Sequence, residues 1–292
     1  MKQLGLYPVK HNELSLRERL HIIAETGFDY ICASGIEQLR SPGPDGFMAS
    51  AERENLPIDN VHLTGKETNQ IWYPGPAGDE IVERYCREMS QAAEVDVRLG
   101  IVHVTWGFQT PPFNELGMNR LKQMVDHAEK IGFTIAFENS VSITHYRAAL
   151  ETFQSPNICF CFDTGHWNEF CPDEDIYTRY GDLMRVTHID DNDGKRDLHI
   201  IPFDGCADFS KLTGALRRMD RLTFEVSGAK RVRCEAPCEE IRRGLARLQI
   251  AGDDHLVHIY DNEFTLYEDL SYAEYLQRLM TAAMRLRDMV EA

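Results

Sequence analysis

Short apolar runs alternate with amphipathic helical stretches almost from end to end of this 292-residue chain, no long polar linker interrupts them, and polar side chains gather where the later runs end. Together these three observations predict an α/β fold of one domain, a (β/α)8 barrel, whose active site collects residues from the C-terminal ends of many strands. A doubly wound open sheet is the alternative architecture. Its nucleotide-binding form needs a Gly-rich phosphate loop after the first strand, and Pro8 to Glu13 contains no glycine.

The first strand is expected over Leu4 to Pro8 and the first helix over Ser15 to Thr26, opened by a Ser15/Glu18 capping box and closed at Gly27. Further β-branched and aromatic runs predict strands at Asp29 to Ala33, Ile58 to Thr64, Leu99 to Thr105, Phe133 to Glu138, Ile158 to Asp163, Arg185 to Asp190 and Leu222 to Val226. Helical periodicity separates them at Asp79 to Val95, Glu115 to Ile131, His145 to Phe153 and Phe209 to Met219. Residues 229–270 break the rhythm before a last helix that starts at Ser271 and is capped by Glu274. The segment is too long for an ordinary loop, holds a short helix over Glu239 to Leu248, and reads as an inserted lid or a subunit contact, the latter implying a homo-oligomer.

A hydrophobic content of 43% suffices for a large core. No apolar run approaches the roughly 18 residues that span a bilayer, and Met1-Lys2-Gln3-Leu4-Gly5 lacks a secretion signal, so a cytoplasmic location without membrane attachment is expected. The eight cysteines include no CxxC pair. Cys32, Cys159 and Cys161 sit inside strand-like runs as small core hydrophobes, and no disulfide framework is expected. A formal net charge of −16 counts against nucleic acid as a partner, because phosphate-backbone binding draws its affinity from Lys and Arg.

Glu138, Asp163, His188 and Glu225 end four successive strand-like runs. A charged group at a buried strand end is costly unless paired or liganded, so four metal-type side chains spaced one β/α unit apart point to a divalent metal. His62, His103, His166, Asp197 and His199 stand at or just beyond strand ends as further candidate ligands. Carboxylates and imidazoles together suit Mn, Mg, Zn, Fe or Co, with Mn or Zn foremost, and the lack of cysteine ligands argues against a structural zinc. No nucleotide cofactor is expected.

The motifs Phe137-Glu138-Asn139, Phe162-Asp163-Thr164-Gly165-His166, His188-Ile189-Asp190-Asp191-Asn192 and Phe224-Glu225, with Asp197-Leu198-His199 followed by Pro202 and Gly205, resemble the xylose-isomerase-like TIM barrels. That superfamily includes sugar isomerases and epimerases, inosose dehydratase and the endonuclease IV type of DNA-repair enzyme. The resemblance covers nearly the whole chain. In its isomerase and epimerase branch, it implies that Glu138, Asp163, His188 and Glu225 hold one divalent metal gripping two oxygens of a sugar or polyol, sugar phosphates included. Glu138 and Glu225 then move a proton beside the carbonyl through an enediolate, and His166 binds the substrate oxygen or relays its proton. The resemblance also implies a basic substrate contact after the seventh strand, for which Arg196 is the nearest candidate. A lyase or dehydratase acting on a keto-sugar or inosose uses the same intermediate. In the endonuclease branch all nine residues hold three zinc ions that hydrolyse a phosphodiester, a reading the net charge opposes. A non-catalytic sugar-binding barrel is the reading from outside enzymology.

Single strand-end polar residues are usually caps, ion pairs or solvated edges. His62 and His103 therefore have three readings: substrate contact, second metal, or partner to a carboxylate. Asp197 and His199 have as their bland reading a loop held by internal hydrogen bonds. Trp106, Phe108 and Trp167 are read as walls of a small-molecule pocket, with Trp72 and Tyr73 beside them, and Asp190 to Asp193 as a turn next to the site. Lys195, Arg196, Lys230 and Arg231 are the residues that could supply a phosphate pocket.

Overall fold

The computed structural model describes every residue except Asn12, 234–237 and 261–262, and the side chains of 238–241 lie outside it as well. Eight strands, β1 (Gln3–Leu6), β2 (Tyr30–Ala33), β3 (Ile58–His62), β4 (Leu99–Val102), β5 (Thr134–Glu138), β6 (Ile158–Asp163), β7 (Met184–His188) and β8 (Arg221–Phe224), form one parallel sheet in the order β7-β6-β5-β4-β3-β2-β1-β8. Each overlaps the run expected for it. Helices at Leu16–Thr26, Pro76–Ala93, Glu115–Ile131, Ile143–Thr152 and Tyr272–Glu291 separate or follow the strands, so the (β/α)8 arrangement read from the sequence is the observed one. Past the end of β7 the chain meets β8: the Ile189 amide donates to the Thr223 carbonyl at 2.9 Å and the Glu225 amide to the Ile189 carbonyl at 3.2 Å.

Local signals account for the helix ends. Ser15 and Ser271 each form a full capping box, with Glu18 and Glu274, and Gly27 ends its helix with φ 96°, a left-handed conformation that glycine adopts without Cβ strain. Several regions differ from expectation, two of them as follows. Phe209 to Met219 is a 3₁₀ turn (Phe209–Lys211) followed by a one-turn helix (Thr213–Leu216), because the Asp208 carboxylate takes the Ser210 amide and tightens the start. The β2–β3 connection carries two short helices, Ile36–Leu39 and Phe47–Arg53, whose few turns leave too little periodicity to read.

The chain forms two compact units. One comprises Met1–Asp29, Thr164–Asp173 and His188–Ala292, the other Tyr30–Asp163 and Glu174–Thr187. In the second unit Ile101, Ala136, Cys159, Cys161 and Val186 form a buried cluster, the two thiols serving as the small hydrophobes expected of them. Close packing there extends to the helices: a Cβ on Gly117 would lie 2.0 Å from the Trp72 ring.

The first unit contains the inserted segment. Its strands β9 (Lys230–Arg233), β10 (Val257–Ile259) and β11 (Glu263–Leu266) make a small antiparallel sheet in the order β10-β11-β9, and its helix is Cys238–Leu245. The parts of the segment at 234–237 and 261–262 lie outside the described residues. Among the described residues no helix is long and apolar enough to cross a membrane.

Candidate active site

In the second unit β3, β4 and β5 bring His62, His103 and Glu138 together. The His62 Nδ1–H donates to the Leu63 carbonyl at 2.9 Å, and its Nε2 lies 3.3 Å from His103 Nε2 and 3.5 Å from Glu138 Oε2. His103 Nε2 lies 2.8 Å from Glu138 Oε2 and donates to it. Both imidazoles therefore converge on one fully buried carboxylate, which would otherwise be costly to hold in a barrel interior. Trp106 stacks on the His103 ring, with centroids 5.0 Å apart. Its backbone N–H donates to the Asn69 side-chain oxygen at 2.8 Å, and the Asn69 amide donates to its carbonyl at 2.7 Å.

Asp163, at the end of β6, is also fully buried. Its backbone N–H donates to Asn139 Oδ1 at 2.7 Å, and Asn139 Nδ2 donates back to the Asp163 carbonyl at 2.8 Å. This reciprocal clamp ties the ends of β5 and β6 to each other.

In the first unit, His188 at the end of β7 is buried between two partners. Its Nδ1 lies 2.9 Å from Glu225 Oε2, and its Nε2 lies 3.1 Å from the Tyr7 hydroxyl. Tyr7 follows β1 and packs edge-on to the imidazole. It carries no sequence signature, because an aromatic residue after a strand reads as ordinary core.

The loop after β7 is organised by its own acidic residues. Asp190 accepts from the Gly165 amide at 2.8 Å. Asp191 accepts from the backbone amides of Asn192, Phe203, Gly205 and Ala207. Asp193 takes the Lys195 and Arg196 amides and both Nε and Nη2 of Arg196 at 2.8 and 2.6 Å. This is the turn read from the sequence, and its carboxylates hold the loop.

Asp190, Asp197 and His199 converge on this loop. His199 Nδ1 lies 3.0 Å from Asp190 Oδ2, its Nε2 lies 3.1 Å from Asp197, and His166 Nε2 is 3.7 Å from Asp197 Oδ2. Burial opposes charge on His199, yet Asp197 and Asp190 hold it well above the usual imidazole range. Burial likewise opposes charge on Asp197, and His199 with His166 holds it well below the carboxylate range. Glu169, one helical turn beyond His166, is pushed up to about 7 by burial, with Asp197 adding to the shift. Lys230 Nζ donates to the Asp197 and Leu198 carbonyls, both at 3.0 Å.

The aromatic residues divide. Trp106 and Phe108 are 51% and 73% exposed and can face a ligand, whereas Trp72 and Trp167 are core side chains, the Trp72 indole N–H donating to the Val104 carbonyl. Of the residues that could form a phosphate pocket, Arg196 is held by Asp193, Lys230 by backbone carbonyls, and Arg231 pairs with Glu263 and Glu268 at 3.5 and 3.8 Å.

Residues 20–263 match the family described as xylose isomerase-like TIM barrel. The chain belongs to that family. Among curated proteins it is 26% identical over 228 residues to a fructoselysine 3-epimerase of Escherichia coli O157:H7, covering 69% of this chain and 80% of that one. It is 36% identical over 72 residues to the Sinorhizobium fredii protein y4fM, a match spanning 24% of this chain and 23% of that protein's length. Among solved structures it resembles D-psicose 3-epimerase from Clostridium cellulolyticum H10, with a TM-score of 0.68 and 13% identity over 100% of both chains, a likeness of fold. The family member thus presents several groups of His, Asp and Glu that could hold a divalent metal.

Proposed function

We propose that this protein is a divalent-metal-dependent epimerase or isomerase acting on a ketose or related polyol by proton transfer beside a carbonyl. The observation that carries this reading is the placement of Glu138, Asp163, His188 and Glu225 at the ends of β5, β6, β7 and β8 in a chain of this family. Three carboxylates and one imidazole, with no thiolate, suit Mn, Zn, Mg or Co. The Tyr7 contact on His188 is the supporting interaction such a ligand takes, and the Asn139 clamp fixes the main chain that carries the Asp163 carboxylate. A divalent ion held by these residues would supply a Lewis acid for sugar oxygens.

The chain's own residues do the rest. Glu138 and Glu225 exchange a proton with the carbon next to the carbonyl, and His166 binds or relays the proton of the substrate oxygen. His62 and His103 hold Glu138 and contact substrate, Trp106 gives the sugar an apolar wall, and Arg196, locked on Asp193, is the basic residue at the rim. The fructoselysine and D-psicose 3-epimerase relatives support a sugar as substrate. Nuclear magnetic resonance of free ketohexoses incubated with the protein in D2O is expected to show C–H to C–D exchange beside the carbonyl and a new epimer. A dehydrated product would move the assignment to the lyase that shares this chemistry, and no exchange with any ketohexose would refute it.

The groupings of His62 and His103 with Glu138, and of His166 and His199 with Asp197, favour one further reading, a trinuclear zinc phosphodiesterase. Metal count per chain separates the two.

Tyr7→Phe is expected to weaken metal affinity by about 10–100-fold, because the hydroxyl contacts Nε2 and fixes the orientation of the His188 ring. Titration of the metal-free protein measures this directly. Unchanged affinity would reduce Tyr7 to packing.

A further inference from the structure

We infer that the first unit carries a second small-molecule site, separate from the strand-end residues, for an organic anion with an apolar body. It is a cavity of about 560 Å³ between the Ile201–Asp204 stretch, the Gln249–Ile250 pair and one face of the helix Tyr272–Glu291. That volume is in the range of drug-sized ligand pockets.

Its chemistry follows from which charges are already engaged. Asp204 is almost fully buried and accepts from Arg278 through both carboxylate oxygens and from the Tyr267 hydroxyl at 2.9 Å. Glu274 is taken by the Ser271 cap, whose amide and hydroxyl donate to it at 2.9 and 2.6 Å. Arg285 is different. Its guanidinium lies 3.9 Å from the centre of the Phe203 ring, and among the described residues no carboxylate is within ion-pair distance of it. Among the described residues Arg285 is therefore a guanidinium of the cavity with no carboxylate partner of its own, displayed on an aromatic face beside the apolar side chains of Pro202, Ile250 and Ala282.

Phe203 is held in place at a cost. Its φ is 72°, the left-handed region that bulky side chains rarely adopt. The conformation persists because the Phe203 amide donates to Asp191 at 3.0 Å and the neighbouring Gly205 and Ala207 amides share the same carboxylate. A strained residue over-determined by its surroundings is a mark of ligand clamps, and here the strain sets the ring beneath Arg285. Gln277 and Thr281, two turns and one turn before Arg285 on the same helix, add hydrogen-bonding groups on the cavity wall. An anion would pair with Arg285 and lay its apolar part over Pro202 and Ile250.

The test uses anilinonaphthalenesulfonate, a fluorescent anion with an aromatic body, titrated into the full-length protein. One saturable site is expected, at least about tenfold weaker in Arg285→Ala and partly restored in Arg285→Lys. Benzoate is expected to displace the probe and its neutral isostere benzamide is not. Equal affinity for Arg285→Ala that keeps the wild-type melting temperature, or equal displacement by benzamide, would overturn the site. Neither readout involves turnover, so the outcome is independent of the proposed activity.

Discussion

Glu138→Gln and Glu225→Gln are each expected to lower solvent exchange into bound ketose by about 10²–10⁴-fold, the range of a lost general acid or base. Glutamine keeps the length and one acceptor oxygen of the side chain, so His103 retains an acceptor in the first variant and His188 a neighbour in the second. What the amide cannot do is take and return a proton. Deuterium incorporation measured beside the metal content of each variant separates two causes of failure. A variant that keeps its ion and loses exchange has lost the proton carrier, whereas one that loses both has lost a ligand. Wild-type exchange in both variants would remove the proposed mechanism.

Removal of the metal is expected to have an effect at least as large. Exhaustive chelation should abolish turnover, and one equivalent of Mn or Zn per chain should restore it. The fold should survive, because the protein already holds Glu138 by His103, the Asp163 main chain by Asn139 and His188 by Tyr7. Far-ultraviolet circular dichroism of the metal-free protein checks this. Three zinc ions per chain, with cleavage of abasic DNA and no ketose exchange, would transfer the protein to the phosphodiesterase branch.

The barrel was legible because its information is local. Each strand is a short β-branched or aromatic run, and the Ser15/Glu18 and Ser271/Glu274 boxes mark two helix starts in four residues each. The candidate ligands were legible for a related reason: Glu138, Asp163 and His188 terminate their strands, so a charged residue closes an apolar run. Tyr7, Asn139 and Asp191 were not assigned these roles from the sequence. Tyr7 acts on a residue 181 positions away, and Asn139 on one 24 positions away, distances at which no periodic pattern connects partners. Asp191 looks like one acid in a turn until its four amide donors, some from 12 to 16 residues on, are in view. Trp72 and Trp167, expected as pocket walls, are in the core, since an indole reads the same whether it lines a cavity or fills one.

The amide clamp between Asn139 and Asp163 also bears on metal choice. Because two hydrogen bonds from Asn139 fix the Asp163 main chain without an ion, the polypeptide itself organises the end of β6. Small structural zinc domains are the opposite case, in which the metal's binding energy is the folding energy. Here the proposed ion would add to the stability of a strand end that the polypeptide already organises. If the proposed metal dependence holds, substituting one divalent ion for another should therefore change catalytic rate without changing how the chain folds.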